Sequence, residues 1–300
     1  MNKNKITACI LGLTTVFLLY QGYLSFTGDF RRANVTYDWP QRKQWPLPKV
    51  NLEDPTIKKA LKQSFSYLGQ GNQTYAFISE DRNYVLKFFK FGNLKPTLWH
   101  TWLPDIGPIQ KVKHKKRMSQ EGRLTRIYEG HWIALTHNKE NCGLIAVQLD
   151  PLGYFDQTVK VRDRIGQIHT INLDTTVFAL QEKATVARDL FDKYLIKNDI
   201  QQIKTLIDQI FNLYLNEYSK GVYDRDHNVI DNVGFTETKA IHIDVGKLKY
   251  DVEIKNKEKY IPDLKDKVVK RISSWVTRHY PQHSRSVDNY LTQKIKEQGS

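Results

Sequence analysis

A change of hydrophobic period divides the body of this chain. Residues 65–91, FSYLGQGNQTYAFISEDRNYVLKFFKF, alternate apolar and polar side chains, the period of a half-buried strand. Residues 184–220, ATVARDLFDKYLIKNDIQQIKTLIDQIFNLYLNEYSK, instead bring Ile203, Leu206, Ile207, Ile210 and Leu213 to one face at helical spacing. Strands followed by helices predict an α+β chain in two lobes. A tight turn at residues 80–83 makes the first stretch an antiparallel meander of three strands, preceded by a short helix from Asp54. CGLIAVQL, TVKVRDRIGQIHTINL and TVFALQEKA read as further strands. A long helix is predicted from about Lys113 to Asn138, with Leu124, Ile127, Trp132 and Leu135 at helical spacing, and two more over 259–279 and 284–297.

Ahead of this body, Lys3 and Lys5 precede an uncharged run from Ile6 to Gly28, closed by Asp29, Arg31 and Arg32. A bilayer-spanning helix needs about 20 residues, so residues 1–28 are expected to form a single-pass membrane anchor. A cleaved signal peptide fits less well, because the apolar stretch is long and no small-x-small site follows it. The flanking cations nearly balance and leave orientation open. Cys9 and Cys142 make no disulfide framework and agree with a reducing compartment without establishing one; the body is expected on the cytoplasmic side. Residues 29–53, rich in Pro, Trp and Arg without a period, read as a linker, within which Asn34-Val35-Thr36 is a glycosylation sequon. Residues 54–300 are the folded body, with a first lobe of about 54–182 and a second of about 183–300.

The net charge of +14 favours acidic partners such as nucleotide phosphates or anionic headgroups, although solubility alone also explains it. The run KVKHKKR at 111–117 begins a helix, where a solvated or membrane-facing surface accounts for it; no nucleic-acid partner is expected.

GVYDRDHNVIDNVGF, at 221–235, packs Asp224, Asp226 and Asp231 with Asn232 into an otherwise largely apolar stretch, and IDVG follows at 243–246. Carboxylates held together between buried segments repel unless a cation or substrate relieves them. A calcium loop starting at Asp224 would need glycine at its sixth position and glutamate at its twelfth, where Val229 and Phe235 stand. His227 has no second histidine at ligand spacing and reads as an exposed loop residue. Upstream, Gly69 and Gly71 join the first two strands, where backbone amides can approach a polyphosphate closely. Lys87 sits between Leu86 and Phe88, where it either meets an anion or snorkels to the surface.

In this order the elements resemble the protein-kinase-like superfamily over about residues 64–250. LGQGNQTYAF is similar to a glycine-rich loop, with Thr74 where a third glycine usually falls. YVLKFF is similar to the strand carrying the nucleotide lysine, and FALQEKA, with Gln181, falls where the hinge between lobes should be. SKGVYDRD resembles the entry to a catalytic loop, with Asp224 in the usual histidine position, and HIDVG resembles the DFG motif with Val245 for phenylalanine.

The resemblance implies a two-lobed kinase-like fold that binds ATP and Mg²⁺. Lys87 would bind the phosphates, held by Glu129 or Glu121 from the long helix. Asp226 would orient the acceptor hydroxyl and take its proton, while Asp244 with Asn232 or Asp231 would hold Mg²⁺. Five residues separate Asp226 from Asn232 where protein kinases have four, and no APE-like sequence follows Gly246. These departures support the reaction type better than a protein substrate, and the acceptor stays open. The competing expectation is a catalytically inactive pseudokinase, a membrane-tethered interaction module on the same fold.

Overall fold

The computed structural model describes residues 3–36, 45–91, 106–149, 156–226 and 228–299, with side chains from Ile10 onward. The chain is mixed α and β. Its two compact units interleave in sequence: residues 1–41, 49–102 and 148–180 form one, and residues 42–48, 103–147 and 181–300 the other.

The first unit opens with helix α1 (Lys3–Thr27), whose Leu13, Val16, Phe17, Leu18, Leu19 and Phe26 are exposed. Over Ile10–Thr27 it is long and apolar enough to cross a membrane. Helix α2 (Arg32–Val35) follows, then α3 (Pro55–Leu61). Asp54 caps α3, its carboxylate accepting from Thr56 N at 2.8 Å, with Pro55 in the first turn. Strands β1 (Phe65–Gln70), β2 (Thr74–Ser79) and β3 (Tyr84–Phe89) form the expected antiparallel meander, with Arg82 at φ +60° in the tight turn. Strands β5 (Thr158–Arg162), β6 (Ile168–Asn172) and, apart from its last two residues, β7 (Phe178–Glu182) extend it to the order β7-β3-β2-β1-β5-β6.

Residues 29–36 are not a tether. Phe30 is fully buried, edge-on to Tyr75 at 5.2 Å, Phe77 at 4.9 Å and His169 at 5.2 Å. Tyr75 Oη donates to Asp29 O at 2.8 Å, and Phe91 N donates to Asn34 O at 2.7 Å. Asn34 Nδ2 donates to Asp29 O at 2.9 Å, so the sequon amide is committed inside the fold. A lone aromatic between charges carries no periodic signal, which is why sequence pattern missed this docking. Residues 37–44, the middle of the expected linker, lie outside the described residues.

The second unit holds helix α4 (Gly107–His137), α5 (Lys139–Cys142) and, apart from its last residue, β4 (Leu144–Gln148). The long helix starts before the expected Lys113 and belongs to this unit rather than to the sheet-bearing one. Next come β8 (Thr185–Val186), α6 (Ala187–Ile196) and α7 (Ile200–Ser219). Ile203, Leu206, Ile207, Ile210 and Leu213 of α7 are buried against Phe191, Ile272, Val276 and Leu291. Strands β9 (Val222–Asp224), β10 (Val233–Phe235), β11 (Ala240–His242) and β12 (Leu248–Tyr250) carry the acidic stretch, with helix α8 (Val229–Asn232) between β9 and β10.

The helix expected over 259–279 is three pieces: α9 (Lys257–Leu264), a π-helical turn (Lys265–Val269) and α10 (Lys270–His279). Pro262 has no N–H to donate within α9, and insertion of a wider turn beside such a break is a common adjustment. Helix α11 (Pro281–Gly299) ends the described chain.

Candidate functional site

Two antiparallel pairings bring the acidic residues onto facing loops. Leu248 of β12 pairs with Asp224 of β9, and Val233 of β10 pairs with His242 of β11. Arg225 N→Lys247 O (3.3 Å) and Ile243 N→Asn232 O (2.8 Å) extend these pairings into the intervening segments. The segment carrying Asp226, Asp231 and Asn232 is thus closed at both ends against the one carrying Asp244. Short apolar strands make this possible, because Val222, Val233, Ile241 and Leu248 are all buried and hold the strand ends in register.

The carboxylates differ in what they hold. Asp226 accepts from Lys247 Nζ at 2.6 Å, and its N–H donates to Asp224 Oδ1 at 2.8 Å. Both members of the Lys247 pair keep solvent contact, so the pair contributes little to stability. Asp231 is gripped by Arg188 through two contacts of 2.6 Å and by Asn228 Nδ2 at 2.7 Å. Asn232 is buried, and its Nδ2 has no hydrogen-bond partner among the described residues. Asp244 is exposed and accepts from Gly246 N at 3.1 Å. With Asp231 committed to Arg188, the Asp244 carboxylate and the Asn232 amide oxygen are the groups of this stretch that could face a divalent cation. Among the described residues no three His, Cys, Asp or Glu side chains group as a metal site. Mg²⁺ needs few protein ligands where phosphates and water supply the rest, and one carboxylate beside one amide fits that demand. His227 lies outside the described residues.

Beneath the loops lies an ionic network that sequence pattern missed. His242 Nδ1 is 2.7 Å from Glu217 Oε1, and Asn138 Nδ2 donates to the same oxygen at 2.6 Å. On its other side, His242 Nε2 stands 3.8 Å from Asp224 Oδ2. Burial disfavours charge on His242, but Glu217, with Asp224 and Asp244, outweighs it and pushes the imidazole up to about 9. Burial raises the Asp224 carboxyl to about 7 despite the opposing pull of His242. Asp224 thereby links the buried cation to the Asp226 amide. A histidine between two isoleucines was the visible signal, but only the fold gives it partners.

Helix α4 docks on the second loop through a glycine. A Cβ on Gly130 would lie 2.3 Å from Val245 O, so only glycine lets the helix backbone approach this closely. Glu129, one residue earlier, is bound by Lys249 of β12, and His137 stacks on Tyr250 at 4.5 Å. The Glu129 carboxylate, expected with Glu121 as a candidate to hold Lys87, therefore already has a cation, Lys249 of β12. Glu121 lies two turns earlier on α4 and is half-buried. Arg126, Glu129, Arg225, Gly246, Lys247 and Lys249 line a cavity of about 300 Å³.

In the first unit Gly69, Ala76 and Lys87 are directly opposite one another across β1, β2 and β3. Directly opposed residues point to one face, so half-buried Lys87 has the small residues Ala76 and Gly69 next along its row on the β2 and β1 side. Neither Gly69 nor Gly71 has a positive φ, and a Cβ at either would meet nothing within 4 Å. Nothing within the described fold demands glycine there. Thr74 starts β2 opposite Phe89. Gln181 is buried in the second unit, where its Nε2 donates to Cys142 O at 2.5 Å and His242 O at 3.1 Å.

No family model matches this chain, and no curated protein matches it. Among solved structures it is similar to WbdD, described as a bifunctional kinase-methyltransferase, at 12% identity over 76% of this chain with a TM-score of 0.35. A co-crystal of WbdD with the kinase inhibitor LY294002 gives 13% identity and the same TM-score over 77% of this chain. The chain spans less than half the length of either structure, 42% and 44%. Likeness of that size fixes neither fold family nor activity.

Proposed function

We propose that this protein is a kinase-like phosphotransferase, tethered to a membrane by α1, that moves the γ-phosphoryl group of ATP to a hydroxyl acceptor with Mg²⁺. The observation that carries the reading is the pair of loops clamped at both ends, with Asp226 and Asn232 on one and Asp244 on the other. The acceptor oxygen would attack the γ-phosphorus as the bond to the β,γ-bridging oxygen breaks, and the hydroxyl proton would pass to the Asp226 carboxylate. Asp244 and Asn232 would hold Mg²⁺, which supplies charge neutralisation on the phosphates. Lys87 would neutralise phosphate charge, and Ala76 and Gly69 beside it on β2 and β1, with unconstrained Gly69 and Gly71, support close approach of a polyphosphate. Thr74 would border that approach, and Gln181 would offer backbone groups to the base, since its side chain is already engaged.

One observation favours the alternative, an inactive kinase-like interaction module: Asp226 is paired with Lys247 and Glu129 with Lys249, each carboxylate occupied by a neighbouring cation. ATP binding by the purified full-length protein, measured with and without Mg²⁺, tests the reading. Mg²⁺-dependent binding with phosphoryl transfer supports the enzyme; ATP binding without Mg²⁺ dependence, or none, overturns it.

A further inference from the structure

The cavity against α4 is lined by four cations, Arg126, Arg225, Lys247 and Lys249, and by one acid, Glu129. Lys249 is matched by Glu129 and Lys247 by Asp226, whereas Arg126 and Arg225 are exposed and have no ion-pair partner among the described residues. All of the lining residues belong to the second unit. Two unmatched guanidiniums at one mouth repel each other, and a bound anion relieves that cost. Guanidinium forks match the oxygens of a phosphate in a way that single ammonium groups do not. Gly246 in the wall adds no side chain that would fill the space.

Lys247 faces both ways, lining this cavity while it holds Asp226 at 2.6 Å. We propose, on the phosphotransferase reading above, that the cavity seats a phosphate group carried by the acceptor, and that this phosphate draws Lys247 away from Asp226. The acceptor is then a hydroxyl compound that already bears a phosphate monoester. Its anion supplies both the grip and the release of the base. A neutral alcohol would leave Asp226 paired. The volume of about 300 Å³, at the small end of ligand sites, suits a compact phosphorylated group.

Inorganic phosphate is the probe, titrated at constant ionic strength into full-length protein in detergent, with the parent, an Arg126→Gln/Arg225→Gln double variant and Lys87→Ala compared. Both arginines are exposed, so their replacement leaves the core untouched. The expected result is a loss of phosphate affinity of about tenfold or more in the double variant, from two lost charge-assisted contacts, with ATP binding retained. Lys87→Ala should retain phosphate binding. Carbodiimide labelling of Asp226, read by mass spectrometry, should rise when phosphate is added to the parent and not to the double variant. Equal phosphate affinity in parent and double variant overturns the site. Phosphate binding that depends on the arginines but leaves Asp226 labelling unchanged overturns its link to the acceptor. Loss of Mg²⁺-dependent ATP binding in the parent would instead defeat the phosphotransferase reading, and the two failures are separate measurements.

Discussion

His242 Nδ1 and Glu217 Oε1 meet at 2.7 Å with both side chains wholly out of solvent, and Asp224 Oδ2 waits 3.8 Å from the far ring nitrogen. The imidazole is held up to about 9 and the Asp224 carboxyl up to about 7. Both groups bind protons more tightly folded than unfolded, so stability must fall as pH rises. Asp224 contributes this fall between about 4 and 7, and His242 between about 6.5 and 9. Thermal unfolding from pH 5 to 9 should show the midpoint dropping, and His242→Gln should remove most of the drop above pH 7. A midpoint that rises from pH 7 to 9 would contradict a charged His242.

Gly130→Ala should destabilise the second unit even though alanine is the better helix former. The helix-propensity gain is about 1 kcal/mol. Against it stands a Cβ placed 2.3 Å from Val245 O, a clash with backbone rather than with a flexible tip. Overpacking of this kind costs about 1–3 kcal/mol, so the melting midpoint should fall by several degrees. A raised midpoint would mean that α4 does not sit this close to the second loop.

The proposed Mg²⁺ site can be tested by separating Asn232 from Asp231. Asp244→Asn and Asn232→Ala should each weaken Mg²⁺-dependent ATP binding. Asp231→Ala should not, because its carboxylate is already spent on Arg188. That variant should lose some stability through the freed guanidinium. The opposite order of effects on ATP titrations would assign the metal to Asp231.

Asp226→Asn should retain ATP binding and lower phosphoryl transfer by about 10²–10⁴-fold, the usual range for a general base. The fold should survive, since the Asp226 N–H to Asp224 contact is a backbone bond that asparagine keeps. Unchanged turnover would leave Asp226 as a partner of Lys247 and nothing more.

Removal of α1 should be tolerated only if the cut spares Phe30. Full-length protein should stay with membranes through alkali, while a version starting at Asp29 should be soluble and folded. Starting at Val50 instead deletes a fully buried phenylalanine from against Tyr75 and Phe77, at a cost of about 3–5 kcal/mol. Equal melting midpoints for the two shortened proteins would show that Phe30 is dispensable.

Local period made much of this chain legible. The meander over 65–91, the buried stripe of α7 and the apolar reach of α1 each follow from spacing within one element, where pattern and local structure share the same residues. The order of the acidic residues along 224–244 was likewise visible. What each carboxylate holds was not. Asp231 meets Arg188, Glu129 meets Lys249, and Glu217 meets His242, pairings that span 43, 120 and 25 residues. Ion pairs that distant leave no periodic trace, and their strength depends on burial that only packing supplies. Phe30 and Gly130 belong with them. One reads as a loop aromatic and the other as a weak point in a helix, until the sheet core closes on the first and the Val245 carbonyl comes to rest against the second.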